Sequence, residues 1–342
     1  MEQSVSRVLV EVAVKTALKN IHDSPERGIR NLVDMALQCA EGRFQHNFFA
    51  TAQTMLQNED SAYYELVRDT VAHTDPGRLY TFGMNLGYNA CTVGARHIRE
   101  NEKKLGCNIP WAVGLQTEPQ RLEEYQQAVQ EGEELGIYMW MLFAGRQPEK
   151  LLPLAEDHPD SALCLFCGTE DLTDAFLDEA SNFRNVMLLV PFSENAEDRC
   201  AALRDRRMLY SVWYQYGQRD TERVINGEIF DGAQQLAPAF TVLLPEQSCP
   251  KEVHRLAHQA VQSARSQQTY RTILWEMPGD NCLVDSIISD DTCSVYFDKR
   301  GDLCSWEGKM GGEEENLFQN ALADILVRAC PKERAENRAD SQ

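Results

Sequence analysis

The chain has 342 residues, 43% of them hydrophobic, and sets 33 Lys and Arg against 53 Asp and Glu for a formal net charge of -20. That apolar content fills one large α/β unit or two ordinary domains, while so acidic a balance opposes attraction to nucleic-acid phosphates and anionic lipid, so neither nucleic acid nor membrane is an expected partner. The eleven cysteines, odd in number and scattered through predicted strands and helices, read as reduced thiols of a cytoplasmic protein, and no run reaches the roughly 18 apolar residues of a spanning helix.

In chain order, the first region is helical. Val8, Val12, Val14 and Leu18 recur at helical spacing, and Ser24 with Pro25 supplies an N-cap and a first helical position. The segment PERGIRNLVDMALQCAEGRFQHNFFATAQTML reads as one long second helix with Ile29, Leu32, Val33, Ala36 and Leu37 on one face. A further short helix ends at Asp75-Pro76-Gly77, giving a helical lead-in over 1–77 that packs on a larger body.

From Arg78 short apolar runs alternate with amphipathic helices. The runs LYTFGMN, IPWAVGLQ, IYMWMLFAG, ALCLFCG, NVMLLVPF, MLYSVWYQYG, AFTVLLPE and RTILWEM are strand candidates. Strands separated by helices must be parallel and buried on both faces. The expected fold class is therefore α/β, a full or partial TIM-like (β/α) barrel over 78–280, with an open doubly wound sheet as the other closure. TCSVYFDKRGDLCSW then predicts strand, turn and strand, and a last amphipathic helix completes 281–330 before a polar tail, 331–342.

In such folds ligands sit where strands end. That rule nominates Asn85, Tyr88, Asn89 and Thr92 in the glycine-punctuated stretch FGMNLGYNACTVGARHIRE, then Arg146, Tyr214 and Tyr216, as ligand-binding residues. Gly83, Gly87 and Gly94 match neither the dinucleotide nor the triphosphate fingerprint, and serve to turn the chain or let a helix pack closely. Glu246 and Glu276, at the ends of neighbouring strands, are the candidate acid and base of a barrel enzyme. No complete metal set is visible. Cys282, Cys293 and Cys304, eleven residues apart, are candidate ligands lacking a fourth, and His254 and His258 have metal spacing without the glutamate of HExxH.

A helical lead-in, a first strand ending in a long loop, a partial or full barrel and a terminal strand-turn-strand together resemble the radical S-adenosylmethionine superfamily over residues 78–306. In that family the loop after the first strand carries CxxxCxxC, whose thiolates bind a [4Fe-4S] cluster that in turn holds S-adenosylmethionine. Here the corresponding stretch LGYNACTVGARHIRE has Cys91 alone, and the triplet occurs nowhere in the chain. The resemblance thus implies a cluster-free barrel, accessory or ligand-binding, for a peptide or small metabolite, acting beside a radical S-adenosylmethionine enzyme. No cofactor is then expected, and an iron-sulfur cluster or S-adenosylmethionine enters only through a non-standard site.

Overall fold

The computed structural model describes residues 5–38, 43–289, 291–306 and 308–332. The lead-in forms α1 (Val5–Asp23), α2 (Pro25–Gln38), α3 (Arg43–Met55) and α4 (Tyr63–His73). Residues 39–42, inside the long second helix expected from sequence, and the tail from 333 onward lie outside the described residues.

The first strand candidate is not a strand. LYTFGMN belongs to α5 (Pro76–Gly83), which runs through a π-helical stretch, Met84–Gly94, into α6 (Ala95–Leu105). The physical reason lies at Asp75-Pro76-Gly77. Asp75 accepts a hydrogen bond from the Arg78 N–H at 2.9 Å and Pro76 stands at the first helical position, so this tripeptide starts a helix as well as ending one. Asn85, Tyr88, Asn89, Cys91 and Thr92 consequently sit on a helix ahead of the sheet, and the boundary at 77/78 falls inside α5.

The sheet begins with β1 (Ala112–Gln116), and α7 (Leu122–Leu135) leads to β2 (Met139–Phe143). The alternation continues through α8 (Leu152–Asp157), β3 (Ala162–Phe166), α9 (Asp174–Ala180), β4 (Val186–Pro191), α10 (Ala196–Asp205) and β5 (Tyr210–Tyr216). Two short helices follow, α11 (Thr221–Ile225) and α12 (Glu228–Gln234), then β6 (Phe240–Pro245), α13 (Lys251–Gln267) and β7 (Ile273–Glu276). Helix α14 (Met277–Ser289) connects to β8 (Val295–Phe297), and β9 (Leu303–Ser305), β10 (Gly308–Lys309) and α15 (Leu322–Ala329) complete the order. Strands β1 to β4 are buried nearly throughout, as sheets covered on both faces require.

The strand order is β10-β9-β8-β1-β2-β3-β4-β5-β6-β7, parallel from β8 to β7 and antiparallel through β8, β9 and β10. The terminal strand-turn-strand therefore joins the sheet beside β1. The eight parallel strands follow the circular order of a (β/α) barrel in which one seam, between β7 and β8, is left unpaired: the fold is a partial barrel. The sheet curls, since Trp111, just ahead of β1, meets Trp275 of the edge strand β7 edge to face with ring centroids 6.3 Å apart. Helix α14 packs across this opening. Asp285 accepts the Trp111 backbone N–H at 2.8 Å, and Asn281 accepts from the Trp275 indole at 3.2 Å.

The lead-in contacts the opposite end of the barrel from the strand ends. Arg204, in the last turn of α10 before β5, pairs with Asp69 of α4 through two bonds of 2.6 and 2.5 Å. Arg78 donates to the carbonyls of Phe183 and Ser181 ahead of β4, and Gln268 ahead of β7 reaches Met55 O at 3.0 Å. Each barrel partner lies where a helix hands over to the next strand.

Candidate ligand-binding site

Asn85 and Asn89 are buried and spend their amides on that same turn-bearing end. Asn85 Nδ2 donates to Pro159 O at 2.8 Å and Ser161 O at 2.9 Å, while Asn89 Nδ2 donates to Asp160 O at 2.8 Å and Asn85 Oδ1 at 3.1 Å. These asparagines fasten the π-helical stretch to the entry of β3. Thr92 Oγ1 donates to Gly87 O at 3.3 Å within the stretch, and Tyr88 is half-buried on it. None of the four reaches a strand end, because the segment never enters the sheet. Gly94 has the close-packing role foreseen for the glycines: a Cβ there would lie 2.3 Å from Gly136 O, whereas Gly83 and Gly87 face open space.

At the strand ends, Arg146 is exposed in the turn after β2, and Glu246 is exposed after β6. Tyr214 points toward the helices, its hydroxyl donating to Asp220 at 2.7 Å and accepting from Arg223 at 3.1 Å. Tyr216 and Glu276 share that outward side. Register pairs Leu243 with Tyr214 and with Glu276, and side chains alternate along each strand, so Tyr216 and Glu276 flank the same layer. The Tyr216 hydroxyl donates to Glu276 Oε1 at 2.8 Å.

Glu276 also borders a cavity of about 720 Å³ beside the open seam. One wall is α13 and the chain before it, with Cys249, His254 and His258; Pro278, Gly279 and Cys282 of α14 form another. Cys293, Val295, Trp306, Met310 and Cys330 line it from the C-terminal region. Glu246 does not line it, so the expected carboxylate pair is not assembled there: Glu246 is exposed in a loop while Glu276 is 1% exposed under the helices.

Burial is the main force on Glu276 and pushes its carboxyl up to about 7, against opposing hydrogen bonds from Tyr216 and the Gly279 N–H and the nearby His258. The Gly279 N–H donates to Oε2 at 2.8 Å, and a Cβ on Gly279 would sit 2.7 Å from that oxygen and 2.6 Å from the His258 ring. Asp280 organises the other side. Its Oδ2 accepts the Glu276 N–H at 2.8 Å, and its Oδ1 lies 2.5 Å from Arg265 and 3.2 Å from His258 Nε2. The hydrogen bond to Asp280 raises the His258 pKa despite partial burial. Burial and then the Glu276 charge drive the Tyr216 phenol far upward, so it stays a donor. The arrangement can hold or release one proton at the cavity wall near neutral pH.

Sequence spacing marked His258 only as half of a metal pair. In the fold it serves Asp280, while His254 lies against the Tyr216 ring with centroids 6.0 Å apart. Cys282 and Cys293 share the cavity, but Cys304 lies elsewhere with its thiol directed to Asp302 O at 3.6 Å. Cys330 and Cys249 carried no motif that could have singled them out beyond their presence as thiols.

The [4Fe-4S] cluster of the resembled family can be tested against these donors. The turn after β1 reads Thr117-Glu118-Pro119-Gln120-Arg121 and holds no thiol. Cys91 sits in the helical stretch before the sheet, where burial pushes it up to about 12, away from the thiolate a cluster binds. Among the described residues no three His, Cys, Asp or Glu side chains are placed to hold a metal ion. The residues do not fit a cluster seated by three thiolates.

No family model and no curated protein matches the chain. Similar solved structures include SuiB of Streptococcus suis, with a TM-score of 0.48 and 10% identity over 68% of this chain and 69% of that one. SuiB bound to S-adenosylmethionine gives 0.47 and 10% over 73% and 70%. The anSMEcpe protein with bound AdoMet and a Cp18Cys peptide gives 0.41 and 8% over 66% and 85%. Overlaps this slight assign no activity, and the architecture above rests on the strand order itself.

Proposed function

We propose that this chain is a cluster-free relative of the radical S-adenosylmethionine superfamily, a cytoplasmic accessory or ligand-binding barrel whose cavity takes a small metabolite or a peptide segment. The observation that carries the reading is the cavity of about 720 Å³ beside Glu276, in a fold whose turn after β1 offers no thiol. A concave site of that size, with Val295, Trp306 and Met310 beside a few convergent polar groups, suits an organic ligand. In this role Glu276 and His258 orient polar groups of the ligand, and the chain works beside an enzyme that does carry the cluster. No helix among the described residues is long and apolar enough to cross a membrane.

Anaerobic reconstitution of the full chain with iron and sulfide tests the cluster-free part. We expect no stoichiometric cluster and no reductive cleavage of S-adenosylmethionine; either one overturns it. A screen of metabolites and short peptides by thermal shift tests the cavity. A hit should weaken at least about tenfold in Glu276→Gln if the carboxylate accepts a ligand hydrogen bond.

A second reading, a barrel enzyme, is favoured by one feature: a buried carboxyl, Glu276, lines a cavity, and burial pushes it up to about 7. It requires Glu276 to act without Glu246. Loss of turnover in Glu276→Gln with ligand binding retained would select it over the accessory role.

A further inference from the structure

Two thiols from separate elements share one wall of the cavity. Cys293 and Cys330 interact thiol to thiol, and both residues line the cavity while remaining only 6% and 9% exposed. Their backbones come from separate elements and are both pinned. Cys293 stands just before β8, with its N–H directed to Asp285 Oδ2 at 3.3 Å. Cys330 follows α15, and its carbonyl accepts from the Asn108 N–H at 2.7 Å. Cys107 is nearby, bridged through its backbone to Pro331, but it is wholly buried and does not line the cavity.

We propose that Cys293 and Cys330 are a reversible disulfide site, closed by a hydroperoxide that enters through the cavity. Accepting the Cys293 proton favours the thiolate on Cys330 and lowers its pKa, whereas donation and burial raise that of Cys293. Cys330 is therefore the attacking sulfur. Its thiolate takes the outer oxygen of the hydroperoxide, the O–O bond breaks, and the departing alkoxide or hydroxide picks up a proton, leaving a sulfenic acid on Cys330. The Cys293 sulfur then gives up its proton and attacks the sulfenic sulfur, forming S–S and expelling hydroxide that becomes water. Two thiols are oxidised by two electrons, and one hydroperoxide is reduced to an alcohol or water plus one water. The bridge ties the end of α15 to the entry of β8 and removes two thiols from the cavity lining. This proposal rests on the shared cavity wall and the pairing of the two thiols, and needs neither a cluster nor the ligand proposed above.

The test uses the full chain, reduced, freed of reductant, treated with a modest excess of hydrogen peroxide, alkylated and mapped as peptides. The expected product is one cross-linked peptide containing Cys293 and Cys330, lost on addition of dithiothreitol and still formed in Cys107→Ser. In Cys293→Ser a sulfenic acid should be trapped by dimedone on Cys330, and in Cys330→Ser none on Cys293. A bridge through Cys107, Cys249 or Cys282, trapping on Cys293, or both thiols recovered fully alkylated after peroxide would overturn the proposal.

Discussion

Glu276 is a carboxyl whose titration the surrounding helices displace to about 7, chiefly by burying it. Its folded pKa lies above the unfolded value, so the folded chain binds the extra proton, and stability falls as pH rises from about 4.5 to 7. A displacement that large corresponds to about 3 kcal/mol. Glu276→Gln copies the neutral acid, with an amide donor for Tyr216 and an oxygen for the Gly279 N–H. Urea unfolding at pH 5 and pH 8 should show wild type losing about 2.5 kcal/mol relative to this variant; parallel losses would mean that the carboxyl is not so displaced. Tyr216→Phe removes the donor to the ionised carboxylate and should cost about 1–3 kcal/mol at pH 8, with a smaller cost at pH 5. Position at a strand end made Glu276 legible in the sequence. Tyr216 was legible as a strand-end ligand candidate but not as the partner of Glu276, because β5 and β7 come together across β6 only in the folded sheet.

At the scale of elements, most apolar runs declared themselves as strands because continuous Val, Leu, Met and Phe between helices suits a sheet covered on both sides. LYTFGMN did not behave so, and a run of that length has no period that separates strand from helix. Its capped start and its continuity with the π-helical stretch decided the matter. The three glycines of this segment give a sharp test. Gly94→Ala drives a Cβ into the Gly136 carbonyl and should destabilise by about 1–3 kcal/mol in denaturant titration. Gly83→Ala and Gly87→Ala meet nothing within 4 Å and should stabilise by up to about 1 kcal/mol. Asn85→Ala strips donors from two carbonyls and should cost about 2 kcal/mol without altering peroxide-driven bridging of Cys293 and Cys330.

For the molecule as a whole, the helices ahead of the sheet grip the end of the barrel away from the strand ends, and Arg78 of α5 is central to that grip through its bonds to Phe183 and Ser181. Arg78→Ala should lower stability by about 2–4 kcal/mol and speed protease cleavage within the lead-in, read by limited proteolysis, while the barrel fragment persists. Hydrophobic period was enough to determine a parallel βα repeat, composition an acidic chain, and cysteine spacing the absence of CxxxCxxC. Only the tertiary structure decided that β7 and β8 leave a seam, that the lead-in takes the opposite face, that Glu276 rather than Glu246 borders the cavity, and that Cys293 meets Cys330. A periodic pattern records which side of an element is apolar. It does not record which distant segment will pack there, and the seam, the cavity and the thiol pair are all made by such distant partners.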